Sequence, residues 1–327
     1  MPTIHATIDP ALRARIRARH SLHYTRPLPG RPSYVRAASS VNWFTDRLAI
    51  VQDDTLMVAL FDPATHGVEA IDLPLRADGA RTFDVVQGNK KFKADFEAAV
   101  STPVNGAPTL FAFGSGSHEN RESVAILTSS QQGFESRIVH TPALYAALRA
   151  APDFLSSELN LEGAVLIDTT LRLFQRSNGT PLSPETSATC ASCDLSWPAL
   201  LAHLDAPHGA PPAIENICLY DLGRAEDARL TFTDAALLRN GSIAFSASAE
   251  SSPNAYDDGE VTGSVLGKIV GDRALLCPLL DEDGKPVREK VEGLALAHND
   301  ARRAYLVFDP DDHQRAANLV EVELTGF

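Results

Sequence analysis

Short apolar runs of strand length recur along the whole chain, and few have a helical neighbour. Examples are "SVNWFTDRLAIVQDDTLMVALFD", "PTLFAFGSGS", "SVAILTS", "GAVLIDTTLRLFQRS", "NICLYDL", "SVLGKIVGDRALLCPLL" and "AYLVFDP" with "LVEVEL", punctuated by Asp, Asn and Gly. A parallel α/β fold needs strands alternating with helices of roughly 10–15 residues, and that alternation is missing. Helical patterning is confined to "DPALRARIRARH" near the N-terminus, "KADFEAAVS", "TPALYAALRAA" from Thr141 to Ala151, and "SWPALLAHLD". The strand groups start near Ser39, Ala94, Leu161, Ile217, Val261 and Val291. Their spacing of about 40 to 70 residues suits four-stranded propeller blades with insertions. The reading is an all-β, six-bladed β-propeller with short helical insertions. It forms a single domain over 1–327, with residues 1–20 as an N-terminal helical extension. A β-sandwich is the main alternative but needs fewer residues for its strands. "SLHYTRPLPG" is expected to pair with the last blade, closing the ring and removing its edges.

Two strand groups open with the same pair, Glu162-Gly163 in "LNLEGAVL" and Glu292-Gly293 in "KVEGLALA". In a propeller the first strand of each blade lines the central channel. A glycine there permits close backbone approach, and its neighbouring carboxylate can point at the axis. Two carboxylates near one axis repel unless protons or a cation intervene. Glu162 and Glu292 are therefore the expected metal ligands, with Ca²⁺ the natural ion because it accepts 6 to 8 oxygens in loose geometry. Ser39, Ser40, Asp95, Asn160, Asn216, Glu250 and Thr262 offer further oxygens. All of these groups also serve as ordinary turn and strand-end hydrogen bonders.

The loop "FGSGSHENRES" follows an apolar strand and suggests an anion nest of backbone NH groups. Ser115, Ser117 and Arg121 would reinforce it. Lys91, in the basic run Lys90, Lys91 and Lys93, would draw an anionic ligand toward the same end. Neither GxxxxGK[ST] nor GxGxxG is present, and GxSxG and HExxH are absent. The acidic stretches around Asn254, Asp257, Asp258 and Glu260, and "DPDDHQR" from Asp309, do not follow EF-hand spacing and read as solvent-facing turns. Arg176 and Asn178 lie in "QRSNG" beyond the third group's second strand. Cys190 and Cys193 form one CxxC in a Ser/Thr-rich stretch, without a second pair to complete a zinc site. They, with Cys218 and Cys277, read as loop and core cysteines.

The net charge is −13 over 327 residues, which argues against nucleic acid and anionic membrane as partners. No apolar stretch approaches the roughly 20 residues of a membrane span, and no apolar core follows the N-terminal arginines as in a secretory signal. The expected location is cytoplasmic.

Taken together, "LNLEGAVL…LRLFQRSNG", "KVEGLALA…AYLVFDPDD…NLVEVEL", the GSGS loop and "KKFKADFEA" resemble the bacterial phytase-like and esterase-like β-propellers, over most of Ser39 to Leu324. That resemblance implies calcium-dependent hydrolysis of phosphate esters by a secreted or periplasmic protein. It also implies Glu162 and Glu292 at the channel mouth and Arg121 on the ligand. The chain departs from it in lacking a signal peptide, dense acidic clusters and many paired basic residues. Two functions follow. One is a divalent-metal-assisted hydrolase of a small anionic ester or lactone, with Asp95 as catalytic base and Ser115, Ser117, Arg121 and Lys91 binding the ligand. The other is a non-catalytic propeller that binds a small ligand or protein partner.

Overall fold

A computed structural model describes residues 2–177, 189–251 and 259–327. Its strands pair into four sheets, one of which has ten strands. Within them are five antiparallel four-stranded units. The first holds Ala38–Phe44, Arg47–Gln52, Met57–Phe61 and Val68–Asp72. The second holds Phe96–Val104, Ala107–Gly114, Ser123–Ser130 and Gly133–His140. The third holds Leu161–Ile167, Thr170–Gln175, Cys190–Ser196 and Glu215–Asp221. The fourth holds Ala228–Leu237, Ile243–Ser251, Glu260–Val270 and Arg273–Leu280. The fifth holds Lys290–Leu296, Arg303–Asp309 and Asn318–Thr325, completed by Arg13–Ser21 from the other end of the chain. The first strand of each unit touches the first strand of the next, and the fifth returns to the first. This is a propeller-like ring of mostly β structure.

The expected count of six is corrected to five units among the described residues. Ile217 belongs to the outermost strand of the third unit, and Val261 to the third strand of the fourth. The fourth unit's true inner strand, "ARLTFTDAAL", starts at Ala228. Apolar content marks strands but does not say which strand of a unit faces the axis.

Five buried clusters fill the five spaces between neighbouring units. A strand's side chains alternate between faces, so each sheet feeds two clusters. Cys190 and Cys193 illustrate this, being three residues apart on one strand and packing into different clusters. They lie in a strand rather than a loop, and burial raises both thiols, Cys190 to about 11. The reading of core cysteines stands for this pair, and all four cysteines are free.

Residues 2–20 are not helical. The alternation "RARIRAR" has the two-residue period of a strand, with Ala14 and Ile16 fully buried and Arg17 and Arg19 paired outward with Glu323 and Glu289. Arg13–Ser21 zips against Asn318–Thr325, so the chain's two ends close the ring. Closure was expected, but the strand that makes it ends where "SLHYTRPLPG" begins. Upstream, Thr3–His5 and Thr7–Ile8 pair in parallel with the outer strands of the third and fourth units. "KADFEAAVS" is likewise a strand, because tertiary pairing with Ala107–Gly114 overrides its helix propensity. The two remaining helical expectations hold, as α1 (Pro142–Ala150) and α2 (Trp197–Asp205). Among the described residues no helix is long and apolar enough to cross a membrane.

Candidate functional site

All five inner strands slip register by one residue near their start. The shifts fall between Ala38 and Ser40, Phe96 and Ala98, Leu161 and Gly163, Phe232 and Asp234, and Val291 and Gly293. The extra residues are Ser39, Glu97, Glu162, Thr233 and Glu292. A bulge re-aims its side chain and bends the strand. The Glu-Gly pairs are therefore two copies of a five-fold device, a bulge residue followed by a contact residue. A Cβ on Gly293 would come within 2.7 Å of the Val41 backbone nitrogen, and one on Gly163 within 3.1 Å of the Ala235 nitrogen. Glycine is needed because neighbouring inner strands nearly touch there. At the matching position of the fourth unit stands Asp234, which accepts from Ser40 Oγ at 3.1 Å and from the Leu294 backbone NH at 2.9 Å. Ser40 lies on a non-neighbouring unit, so this bond crosses the axis and plugs it.

On one side of the plug opens a cavity of about 840 Å³, dense in charge. Five of the basic residues that line it pair with carboxylates. Arg36 binds Asp54 (Nε–Oδ2 2.9 Å) and Asp84 (3.2 Å). Lys93 bridges Asp53 and Asp95, 2.6 Å from the latter. Arg121 lies 2.7 Å from Asp95. Arg176 joins Glu162 (3.3 Å) to Glu250 (2.8 Å). Lys290 pairs with Glu292 (2.8 Å) and Asp311 (3.4 Å).

The carboxyl groups are driven apart in proton affinity. Against the cost of burial, Lys93 and Arg121 hold Asp95 down to about 2. Burial pushes Glu162 up to about 8, with Arg176 opposing and Glu292 adding. Burial with Asp95, Glu162 and Asp53 nearby raises Glu97 well above the usual range. Burial and Asp311 do the same to Asp309. A raised carboxyl makes the folded chain bind a proton that the unfolded chain releases. Its stabilising contribution is complete below the ordinary value of 4.5 and is lost as pH rises through about 8 for Glu162. Asp95 works the other way, and its contribution is lost only as pH falls below 3.8 toward 2. Stability should therefore decline between about pH 5 and about pH 8, read as a falling urea midpoint at constant m. Glu162→Gln should flatten the slope. A midpoint that holds or rises across that window would contradict the assignment.

The predicted site residues meet unevenly. Asp95, Arg121, Glu162, Asn160, Glu250 and Lys91 all line the cavity, Lys91 at its exposed rim. Ser115 donates to Asp95 (2.5 Å) and Ser117 accepts from Arg121 (2.6 Å), so the GSGS turn is folded onto an internal ion pair. Glu162 and Glu292 each carry their own cation partner. The three carboxylates that come within 4.8 Å of one another at the mouth are Asp53, Asp95 and Glu97. Asn216 donates to Asp194 on the outer part of the third unit, and Thr262 bonds the Ala225 carbonyl. Neither is at the mouth. Asp309, read as a solvent-facing turn residue, lines the cavity. Asn178, Asn254, Asp257 and Asp258 fall outside the described residues. Sequence reasoning missed Glu97, Asp53, Arg36 and Lys290. Glu97 has alanine where its counterparts have glycine, so the repeat is visible only as a register shift.

No curated protein matches the chain. A GH43 β-1,3-galactosidase structure aligns with a TM-score of 0.50 at 10% identity, over 92% of this chain and 58% of that one. Mannose phosphorylase MPT-4 from Leishmania mexicana, in complex with phosphate ion, aligns with a TM-score of 0.44 at 12% identity, over 94% and 88%. A luciferin-regenerating enzyme aligns at 0.42 and 9%, over 90% and 92%. At such identities the likeness concerns the fold alone, and it is distant and spread over several protein families rather than one branch. Sequence is more discriminating: residues 34–324, from just before the first inner strand to near the end of Asn318–Thr325, match one family, and the chain belongs to the Family of unknown function (DUF6929).

Proposed function

We propose that the charged channel mouth is the active site of a metal-assisted hydrolase acting on a small anionic ester or lactone. The observation that carries this reading is the convergence of Asp53, Asp95 and Glu97 within 4.8 Å on one open cavity. These are hard oxygen donors of the kind divalent cations such as Ca²⁺ take. Two features bear on the fit. Lys93 already bridges Asp53 and Asp95 and must swing aside. Burial and the neighbouring carboxylates raise the proton affinity of Glu97, so uptake of the ion should be accompanied by proton release. Bound there, a divalent ion would supply a Lewis acid for a carbonyl or phosphoryl oxygen. Asp309, on the same cavity and with its carboxyl pushed well above the usual range by burial and Asp311, is the general acid for the leaving group. Lys90 and Lys91 on the rim attract the substrate's negative charge. Asp95, already engaged by Lys93, Arg121 and Ser115, is a poor base and acts as a ligand and anchor instead.

Protein purified without chelator, then given Ca²⁺, Mg²⁺ or Mn²⁺, should hold an ion by elemental mass spectrometry and turn over a lactone or phosphate ester. Glu97→Gln and Asp53→Asn should lose both. Asp309→Asn should keep the ion and lose about 100-fold in kcat. Glu162→Gln and Glu292→Gln should keep the ion. The absence of ion and turnover in wild type would leave the second reading, a non-catalytic binding propeller. That reading is favoured by the pairing of Arg36, Lys93, Arg121, Arg176 and Lys290 with carboxylates, a closed network that also suits a structural belt.

A further inference from the structure

We propose that His20, His66 and Glu321 form a second metal site, on the outer seam where the ring closes, that takes a borderline transition ion such as Zn²⁺. One donor atom from each lies within 4.8 Å of the other two. The residues come from three separate pieces of the seam. His20 is on the N-terminal closing strand, and Glu321 is on Asn318–Thr325 beside it. His66 is in the turn after Met57–Phe61 of the first unit.

Each donor is positioned by its surroundings. His66 sits at φ +58° in the turn "DPATHG", its NH bonded to the Asp62 carbonyl at 2.8 Å. Asp62 stiffens that turn, accepting from Ala64 NH (2.8 Å) and Thr65 Oγ1 (2.7 Å). The His66 ring lies parallel to Phe61, which is almost fully buried, and 4.3 Å between centroids from His20. Glu321 is held from both sides, with Oε2 3.9 Å from Arg303 and Oε1 3.1 Å from His20 Nε2. Tetrahedral zinc with bonds of roughly 2.0–2.1 Å needs neighbouring donors about 3.3 Å apart, so this edge is already near its bound length.

Two imidazoles and one carboxylate select Zn²⁺, Co²⁺, Ni²⁺ or Cu²⁺ over Ca²⁺ and Mg²⁺, unlike the all-oxygen channel mouth. Three protein ligands leave a fourth position open, and the exposed His66 side gives solvent access to it. An ion here would join the N-terminal strand, the last unit and the first unit at one point. It would therefore staple the ring shut.

The test uses the full chain stripped with chelator, and Co²⁺ and Zn²⁺ alone as probes. Wild type should take up one equivalent of Co²⁺ with ligand-field absorption in the visible, and Zn²⁺ should raise its unfolding temperature. His66→Ala, at an exposed turn, should fold normally without metal. It should bind more than about 100-fold more weakly, beyond what loss of an outer-shell partner costs, and lose the thermal shift. His66→Gln repeats the test if alanine disturbs the turn. His208→Ala, at an exposed histidine in the turn after α2, should bind as wild type does. The proposal is overturned if wild type takes up neither ion. Undiminished binding in both His66 variants, or an equal loss in His208→Ala, overturns it equally.

Discussion

Gly114→Ala is expected to lose at least about 3 kcal/mol of stability, the upper range for overpacking a close-packed site. A Cβ there would overlap the backbone carbonyl of Arg121, with the Arg121 carbonyl carbon at 2.9 Å and the Ala94 oxygen at 3.1 Å. No flexible side chain can yield, because every obstruction is backbone. The obstructing segment is pinned as well. Arg121 NH donates to His118, the Arg121 carbonyl accepts from Gly116 NH, and Tyr145 Oη donates to the Gly114 carbonyl at 2.8 Å. Moving Arg121 to make room would also pull its guanidinium off Asp95. Gly30→Ala is the control. Its φ is +69° but nothing lies within 4 Å, so it isolates backbone strain, about 1 kcal/mol. Denaturant melts of the two variants separate crowding from conformational freedom. Equal losses would mean the loop can retreat.

Arg176→Met should cost about 3–5 kcal/mol near pH 8, the range for removing one partner of a buried ion pair. Arg176 is 3% exposed and reaches Glu162 and Glu250 at once, with Nε donating to Thr231 at 3.1 Å. Methionine fills much of the same volume but strands Glu250, whose carboxyl Arg176 holds below its ordinary value against the cost of burial. The loss should shrink toward pH 5, where protonation relieves the stranded charges. Glu250→Gln added to Arg176→Met should recover part of it. A pH-independent loss would assign the residue's role to packing instead.

These two sites show how far residues alone carry the argument. The β-rich, ring-like architecture was legible because strand runs and turn residues are local signals, and four of the six marked group starts fall at inner strands. Helices α1 and α2 were legible for the same reason, each having proline at its start. The unit count was not, since "NICLYDL" and "EVTGSVLG" are as strand-like as any inner strand. The RARIRAR segment was misread because alanine and arginine favour helix when counted singly, whereas their alternation acquires meaning only beside a partner strand. Glu162 and Glu292 were found through their glycines. Glu97 was invisible because alanine, not glycine, follows it.

What the sequence determined by itself is the material: short strands, tight polar turns, glycines where backbone must approach backbone, and a surplus of carboxyl groups. What only the tertiary structure decided is which of those carboxyl groups meet. Asp53, Asp95 and Glu97 come from two units, Glu162 and Arg176 from a third, and Lys290 and Asp309 from the fifth. Their protonation depends on burial and on neighbours that no local pattern records. Ring closure brings Arg13–Ser21 and Asn318–Thr325 together, and with them His20, His66 and Glu321. Electrostatic energy depends on distance and local dielectric, and both are properties of the closed ring rather than of the chain.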